Sequence, residues 1–212
     1  MKTSELINLL VADRAQTAFR PVYAVAIAVA LGAVVSGLLL TASLGVRPDF
    51  ATAVLSLRFL VKWATVLILA AGAIGLVIRL SHPEASPGRL KWALALGPLI
   101  LALAVVVELA VTPPLRWEAQ MLGVHWLACL ALIPLFSIPP LAGLLFALRR
   151  AAPGNAGLTG AVAGLAAGSI AASVYVLHCP DDSPLFLAAW YTIAISLVTL
   201  IGFLIGRRWL RW

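Results

Sequence analysis

The chain is short of everything a soluble catalyst draws on. Its 212 residues hold 8 acidic side chains, 3 histidines and 2 cysteines, and only 11% are charged. No polar stretch is long enough to build a soluble core, because the largest are the first ~20 residues and loops of roughly 6–13 residues, far below domain size. No C-x-x-C pair, quinone motif or substrate motif is present. No nucleophile sits beside a base in the constellation that covalent catalysis needs. No acidic residue falls near the middle of an apolar run, and no inverted repeat is evident, which leaves little for a transport pathway. These absences argue against an enzyme. No basic–aromatic footprint sits on a domain able to hold a duplex, which argues against direct contact with nucleic acid.

What the chain has in quantity is apolar length. It is 63% hydrophobic, with a mean hydropathy of +1.06. A hydrocarbon core of about 30 Å takes ~20 apolar residues per helix. Six runs meet that length: Val22–Val46, Leu55–Ile78, Leu90–Thr112, Leu122–Leu148, Gly157–His178 and Leu185–Gly206. The expected fold class is therefore all-α, a polytopic membrane protein of six transmembrane helices over residues 22–206. A cytoplasmic arm (1–21) precedes them and a basic tail (207–212) follows. The first run lacks a small-residue cleavage pattern and reads as a retained helix.

Charge orients the bundle. The N-terminal segment, second loop, fourth loop and C-terminus hold 11 of the 15 Lys and Arg; Arg47, Arg58, Lys62 and Arg116 lie on the other side. Basic residues gather on the cytoplasmic side of short loops, so both termini are expected inside. The net charge of +7 is then mainly topology signal and contact with lipid headgroups. Most of the seven tryptophans lie near run ends, where indoles anchor at the interface. Trp126 and Trp190 lie close to a polar cluster and are less plainly anchors.

Several features bear on packing. Gly160, Gly164, Gly168 and Ala172 repeat every four residues and put a small face on the fifth helix. This face serves packing within the chain or, alternatively, a homodimer seam through Gly160, Gly164 and Gly168. Pro98 bends the third helix, and Pro134, Pro139 and Pro140 bend the fourth. Lys62 and Glu108 sit at similar depth near the outer ends of helices two and three. Either they form an ion pair or each snorkels outward alone.

The residues able to carry chemistry gather toward the outer side. His125 and Cys129 are four apart on one helix face, while His178 and Cys179 are adjacent at the mouth of the fifth helix, with Asp181 and Asp182 following. Thiolate and imidazole ligands suit zinc, cadmium or copper(I). Two thiols facing an oxidising compartment also suit a disulfide. Cys129, Cys179, His125, His178 and Asp181 are thus the candidate sensing, redox or metal residues. Any metal would be transient, with no obligatory cofactor. The plain alternatives are packing for a lone membrane cysteine and a helix cap for His125. In the arm, Leu6, Leu9, Leu10 and Asp13 share one face of a short amphipathic helix. That helix lies on the membrane or is presented to a partner's groove.

The opening MKTSELINLLVADRA, the block VLHCPDDSPLFLAAWY at Val176–Tyr191 and the H-x-x-x-C of His125–Cys129 together resemble the NrsF family, negative regulators of sigma F. Span number and the placing of both cysteines agree over nearly the whole chain. The resemblance implies a six-span anti-sigma factor of the bacterial inner membrane. Such a protein holds an extracytoplasmic-function (ECF) sigma factor and releases it under heavy-metal or oxidative stress. It also implies sensing by Cys129 and Cys179, and sigma contact through the arm, at Leu6, Leu9, Leu10 and Asp13. The outer cysteines and bent helices keep a second class in view, a membrane thiol oxidoreductase or small-solute permease.

Overall fold

The computed structural model describes residues 21–82, 88–151 and 153–211. The N-terminal arm, with Leu6, Leu9, Leu10 and Asp13, lies outside the described residues. The six apolar runs become six helices long and apolar enough to cross a membrane. They are α1 (Pro21–Ser43), α2 (Leu57–Leu80), α3 (Ala93–Val111), α4 (Trp126–Arg149), α5 (Ala156–Tyr175) and α6 (Pro184–Trp209). No strand occurs among the described residues. The fold class is all-α and polytopic, as expected.

Composition decides which helix is central. α5 is rich in Gly, Ala and Ser, and it is the most buried span, with α1, α2, α4 and α6 against it. α3 is the least buried and packs chiefly on α2. Bulky residues face outward, Leu99, Leu103 and Val106 of α3 among them. This inversion is what lipid permits, since apolar side chains gain nothing by leaving hydrocarbon and close backbone approach supplies the packing.

The small face of α5 meets α6. A Cβ added at Gly160 would collide with the backbone of Gly202 and Gly206, and one at Gly164 would come 2.5 Å from the Val198 carbonyl. The reading of this face as a homodimer seam is corrected here: it is filled from within the chain, leaving no room for a second copy. α1 and α4 approach as closely, with Gly32 against Pro140.

The prolines of α4 leave backbone acceptors without their usual donor. Pro140 has no N–H to give to the Phe136 carbonyl four residues earlier. Ser36 of α1 supplies a donor from outside the helix, its Oγ lying 2.7 Å from that oxygen. The bent helix is thereby joined to its neighbour by a buried hydrogen bond.

Helix boundaries shift by a few residues at the end that carries the cysteines. The fourth run was expected to enter as a helix at Leu122. Instead a short helix, Trp117–Leu122, stops at Gly123, and α4 begins at Trp126. Gly123 has φ +59°, and any Cβ there would strike the Phe186 ring and Asp181. Only glycine fits this corner.

Candidate functional site

Three loops meet at the end of the bundle that the charge bias places outside. The turn after α1 brings Arg47, the segment before α4 brings Val124 and His125, and the α5–α6 loop brings Cys179, Asp181 and Asp182. The loops are tied by backbone and side chain, since Arg47 N–H donates to the Leu177 carbonyl (3.0 Å). Asp181 reaches across to α4. Its carboxylate accepts from the His125 backbone N–H (2.9 Å) and from Val124 N–H, and lies 3.0 Å from His125 Nδ1. It caps the N-terminus of a helix 56 residues away in sequence, where a carboxylate satisfies donors that α4 cannot satisfy itself.

The two cysteines come together. Cys129 lies in the first turn of α4 and Cys179 lies just past α5, its N–H held by the Tyr175 carbonyl. Their sulfurs are 4.0 Å apart and both side chains are fully buried. Both are free thiols. A disulfide spans about 2.05 Å, so a shift of roughly 2 Å closes the bond. Two sulfurs on either side of a soft ion, at about 2.3 Å each, need a slightly wider gap than the present one.

Two buried cations brace the cysteine loop. Lys62, six residues into α2 and 1% exposed, donates to the carbonyls of Cys179 (3.0 Å) and Asp181 (2.9 Å) and pairs with Asp182 (3.1 Å). Arg47 pairs with Asp182 (2.7 Å) and Asp49 (2.7 Å), and its Nη1 lies 3.3 Å from the Cys179 carbonyl. Asp49 chiefly, then Asp182, raises the Arg47 guanidinium above its ordinary range against the opposing cost of burial. Arg47 in turn lowers the Asp49 carboxyl. The Cys179 thiol is lowered to about 6. The hydrogen bond from the Cys129 thiol is the largest cause. Burial opposes it, and the Lys62 ammonium and the Asp181 backbone N–H help it. That direction favours Cys129 as the donor and Cys179 as the acceptor of the sulfur–sulfur contact, the side on which the nucleophilic thiolate forms first.

The expected Lys62–Glu108 ion pair is corrected. Glu108 pairs with Arg58 (2.8 Å), while Lys62 turns inward to the cysteine loop. Lys62 and Arg58 are four apart on α2 and share a face; Arg58, in the first turn, reaches Glu108 of α3, while Lys62, one turn on, reaches the cysteine loop. The snorkelling alternative fails for Lys62 as well, because its ammonium finds three oxygens inside the protein.

The histidines take separate partners. His125 goes to Asp181, and His178 Nδ1 lies 3.0 Å from the Gly45 carbonyl. Among the described residues no group of three His, Cys, Asp or Glu is arranged to hold a metal ion. Trp126 and Trp190 stack at 4.9 Å beside this cluster, and Trp190 Nε1 donates to the Met121 carbonyl. Trp190 thus packs into the protein and joins the segment before α4 to α6.

Arg47, Lys62, Asp182, Tyr175 and Tyr191 were not singled out for this site from sequence. Both tyrosine hydroxyls are buried without a hydrogen-bond partner of good geometry among the described residues. Tyr175 lies beside Cys129 and Tyr191 beside Cys179. Tyr175 precedes Cys179 by one helical turn, a spacing that could have flagged it. Tyr191 closes a π-helical turn, Leu187–Tyr191, inside α6. Such turns often mark functional sites, but nothing in the local sequence announces one.

Comparison with known proteins adds a lineage to this geometry. The chain is 36% identical to the probable anti-sigma-F factor NrsF of Azospira oryzae over 213 residues, covering all of both chains. It is also 36% identical to the anti-sigma-F factor NrsF of Caulobacter vibrioides over 217 residues, again with full coverage. These names describe regulators, not enzymes. No solved structure matches the chain. The family described as "Negative regulator of sigma F" (NrsF) matches residues 10–212, and with both relatives aligned end to end the chain belongs to that family.

Proposed function

We propose that this protein is a membrane-bound anti-sigma factor whose outer thiol pair controls how firmly it holds its partner. The partner is a cytoplasmic sigma factor of the extracytoplasmic-function type, and the membrane is the bacterial inner membrane. One observation carries the sensing half: Cys129 and Cys179, 50 residues apart in sequence, lie sulfur to sulfur at 4.0 Å inside a clamp of Lys62, Arg47 and Asp181. Packing alone would not call for two unlinked thiols in contact beneath two cations.

An oxidant would take two electrons from the Cys129 thiol and the Cys179 thiolate, release the one remaining proton and join the sulfurs. A soft ion such as cadmium, zinc or copper(I) would displace that proton and sit between them. Either event pulls the start of α4 against the end of α5. α5 packs along α6 through glycines that leave no slack, so the strain passes down the pair toward the cytoplasmic end. Release of the sigma factor requires that this second packing bind it more weakly, since a ligand shifts an equilibrium only by its differential affinity. The sigma contact is assigned to the N-terminal arm, at Leu6, Leu9, Leu10 and Asp13.

The test is co-purification of the cognate sigma factor with membranes, before and after peroxide or cadmium. Capture at rest, loss under stress and full retention in the Cys129→Ser/Cys179→Ser protein are expected. Stress-induced release that persists in the double variant would remove the thiols from the mechanism.

A further inference from the structure

At the end opposite the cysteines, two cavities flank the last turns of α6. The larger, about 550 Å³, is walled by Pro153–Gly157 at the start of α5 and by Phe203, Arg207, Leu210 and Arg211. The second, about 440 Å³, is lined by Leu204 and Ile205 above and by Arg207, Arg208 and Arg211 below. Arg207 and Arg211 are common to both. No carboxylate pairs with either arginine among the described residues; Arg207 lies only over the Phe203 ring, at 5.3 Å. The contrast with the other end is plain. There three of the four basic residues, Arg47, Arg58 and Lys62, each meet an acid.

We propose that Arg207 and Arg211 form a binding site for the phosphodiester headgroup of an anionic phospholipid. Guanidinium groups match phosphate oxygens in a fork geometry. The site's second half selects an amphiphile: Leu204 and Ile205 are exposed on the lipid-facing side directly above the arginines. A soluble phosphate has no use for that apolar wall, whereas an acyl chain lies along it. Basic pockets between helices at the cytoplasmic side take anionic headgroups for the same reason. The location gives the lipid a consequence. Gly202 and Gly206, five residues and one residue before Arg207, are the residues of α6 that interlock with Gly160 of α5, so a headgroup seated there braces the α5–α6 pair at its inner end.

The test is native mass spectrometry of the full chain released from nanodiscs of mixed phosphatidylglycerol and phosphatidylcholine. Retained phosphatidylglycerol is scored for wild type, Arg207→Gln/Arg211→Gln and the control Arg89→Gln, which removes one inner-end charge elsewhere. At about 1 kcal/mol for each of the two basic residues near a charged surface, the double variant should retain about 30-fold less phosphatidylglycerol, with the control unchanged. Circular dichroism and thermal unfolding of each variant in phosphatidylcholine alone confirm that the fold is intact, so that loss reports the site. Equal retention by the double variant, or equal loss by Arg89→Gln, would overturn the proposal in favour of diffuse charge attraction. Displacement of the lipid by millimolar glycerol phosphate, which lacks the acyl chain, would reassign the cavity to a soluble phosphate ester.

Discussion

At Cys179 the charge state of one sulfur is set by its neighbours, and the pH dependence follows with a definite sign. An isolated thiol becomes thiolate only as pH rises past about 8.5. With the Cys179 thiol lowered to about 6, its thiolate is present throughout the neutral range and is lost as pH falls through that value. The rate of Cys129–Cys179 disulfide formation by peroxide, followed by maleimide-shift electrophoresis, should therefore be flat from pH 7 to 8.5. Below pH 6 it should drop about tenfold per unit. Lys62→Met should move the break upward by removing the ammonium. A profile that climbs through pH 8–9 in the wild type would show an ordinary thiol. The same substitution strips one partner from a buried ion pair and should cost about 3 kcal/mol in stability, read as a lower unfolding temperature. The cysteines, His125, His178 and Asp181 were all legible as a polar cluster because they recur within short spacings. Lys62 and Arg47 were not, since they enter from α2 and the first loop, and no local pattern states which helix face turns toward a loop 120 residues away.

Among elements, α5 and α4 carry the clearest consequences. Gly160→Leu should disrupt α5–α6 packing because its Cβ already meets Gly202 and Gly206 backbone. Backbone cannot give way as a side chain can, so a cost of about 3 kcal/mol is expected, measured as loss of folded protein in detergent. Gly37→Leu is the control, with open space around its Cβ. Asp181→Ala should weaken the cap on α4 by about 1 kcal/mol and loosen the 123–125 corner over the thiols. Both cysteines should then react faster with a membrane-impermeant maleimide, and unchanged labelling would show that this corner does not gate access. The number and order of helices could be read from apolar length alone. So could the small face of α5, but not its occupant, because a four-residue glycine repeat is the same signal for a partner within the chain and for one outside. The corner at Gly123 escaped detection because Met121, Leu122 and Val124 are apolar on either side of it.

On the scale of the whole molecule, the account joins an outer thiol pair to an inner protein partner through a packed helix pair. Deleting residues 2–15 should abolish sigma capture while leaving membrane insertion intact, as judged by co-purification beside a membrane-fraction assay. Retained capture would place the contact on the described cytoplasmic loops. Six spans and an inward-facing positive end follow from hydropathy and charge, which act over the whole chain. The coupling between ends does not, because it depends on how tightly two helices interlock, and that emerges only from their packing. The most direct measurement titrates the reconstituted protein with a thiol oxidant and reads two quantities in the same samples, the fraction carrying the Cys129–Cys179 bond and the fraction still holding sigma factor. The account predicts that the two change together, bound sigma falling in proportion as the bond forms. Sigma factor still fully bound when every molecule carries that bond would contradict it.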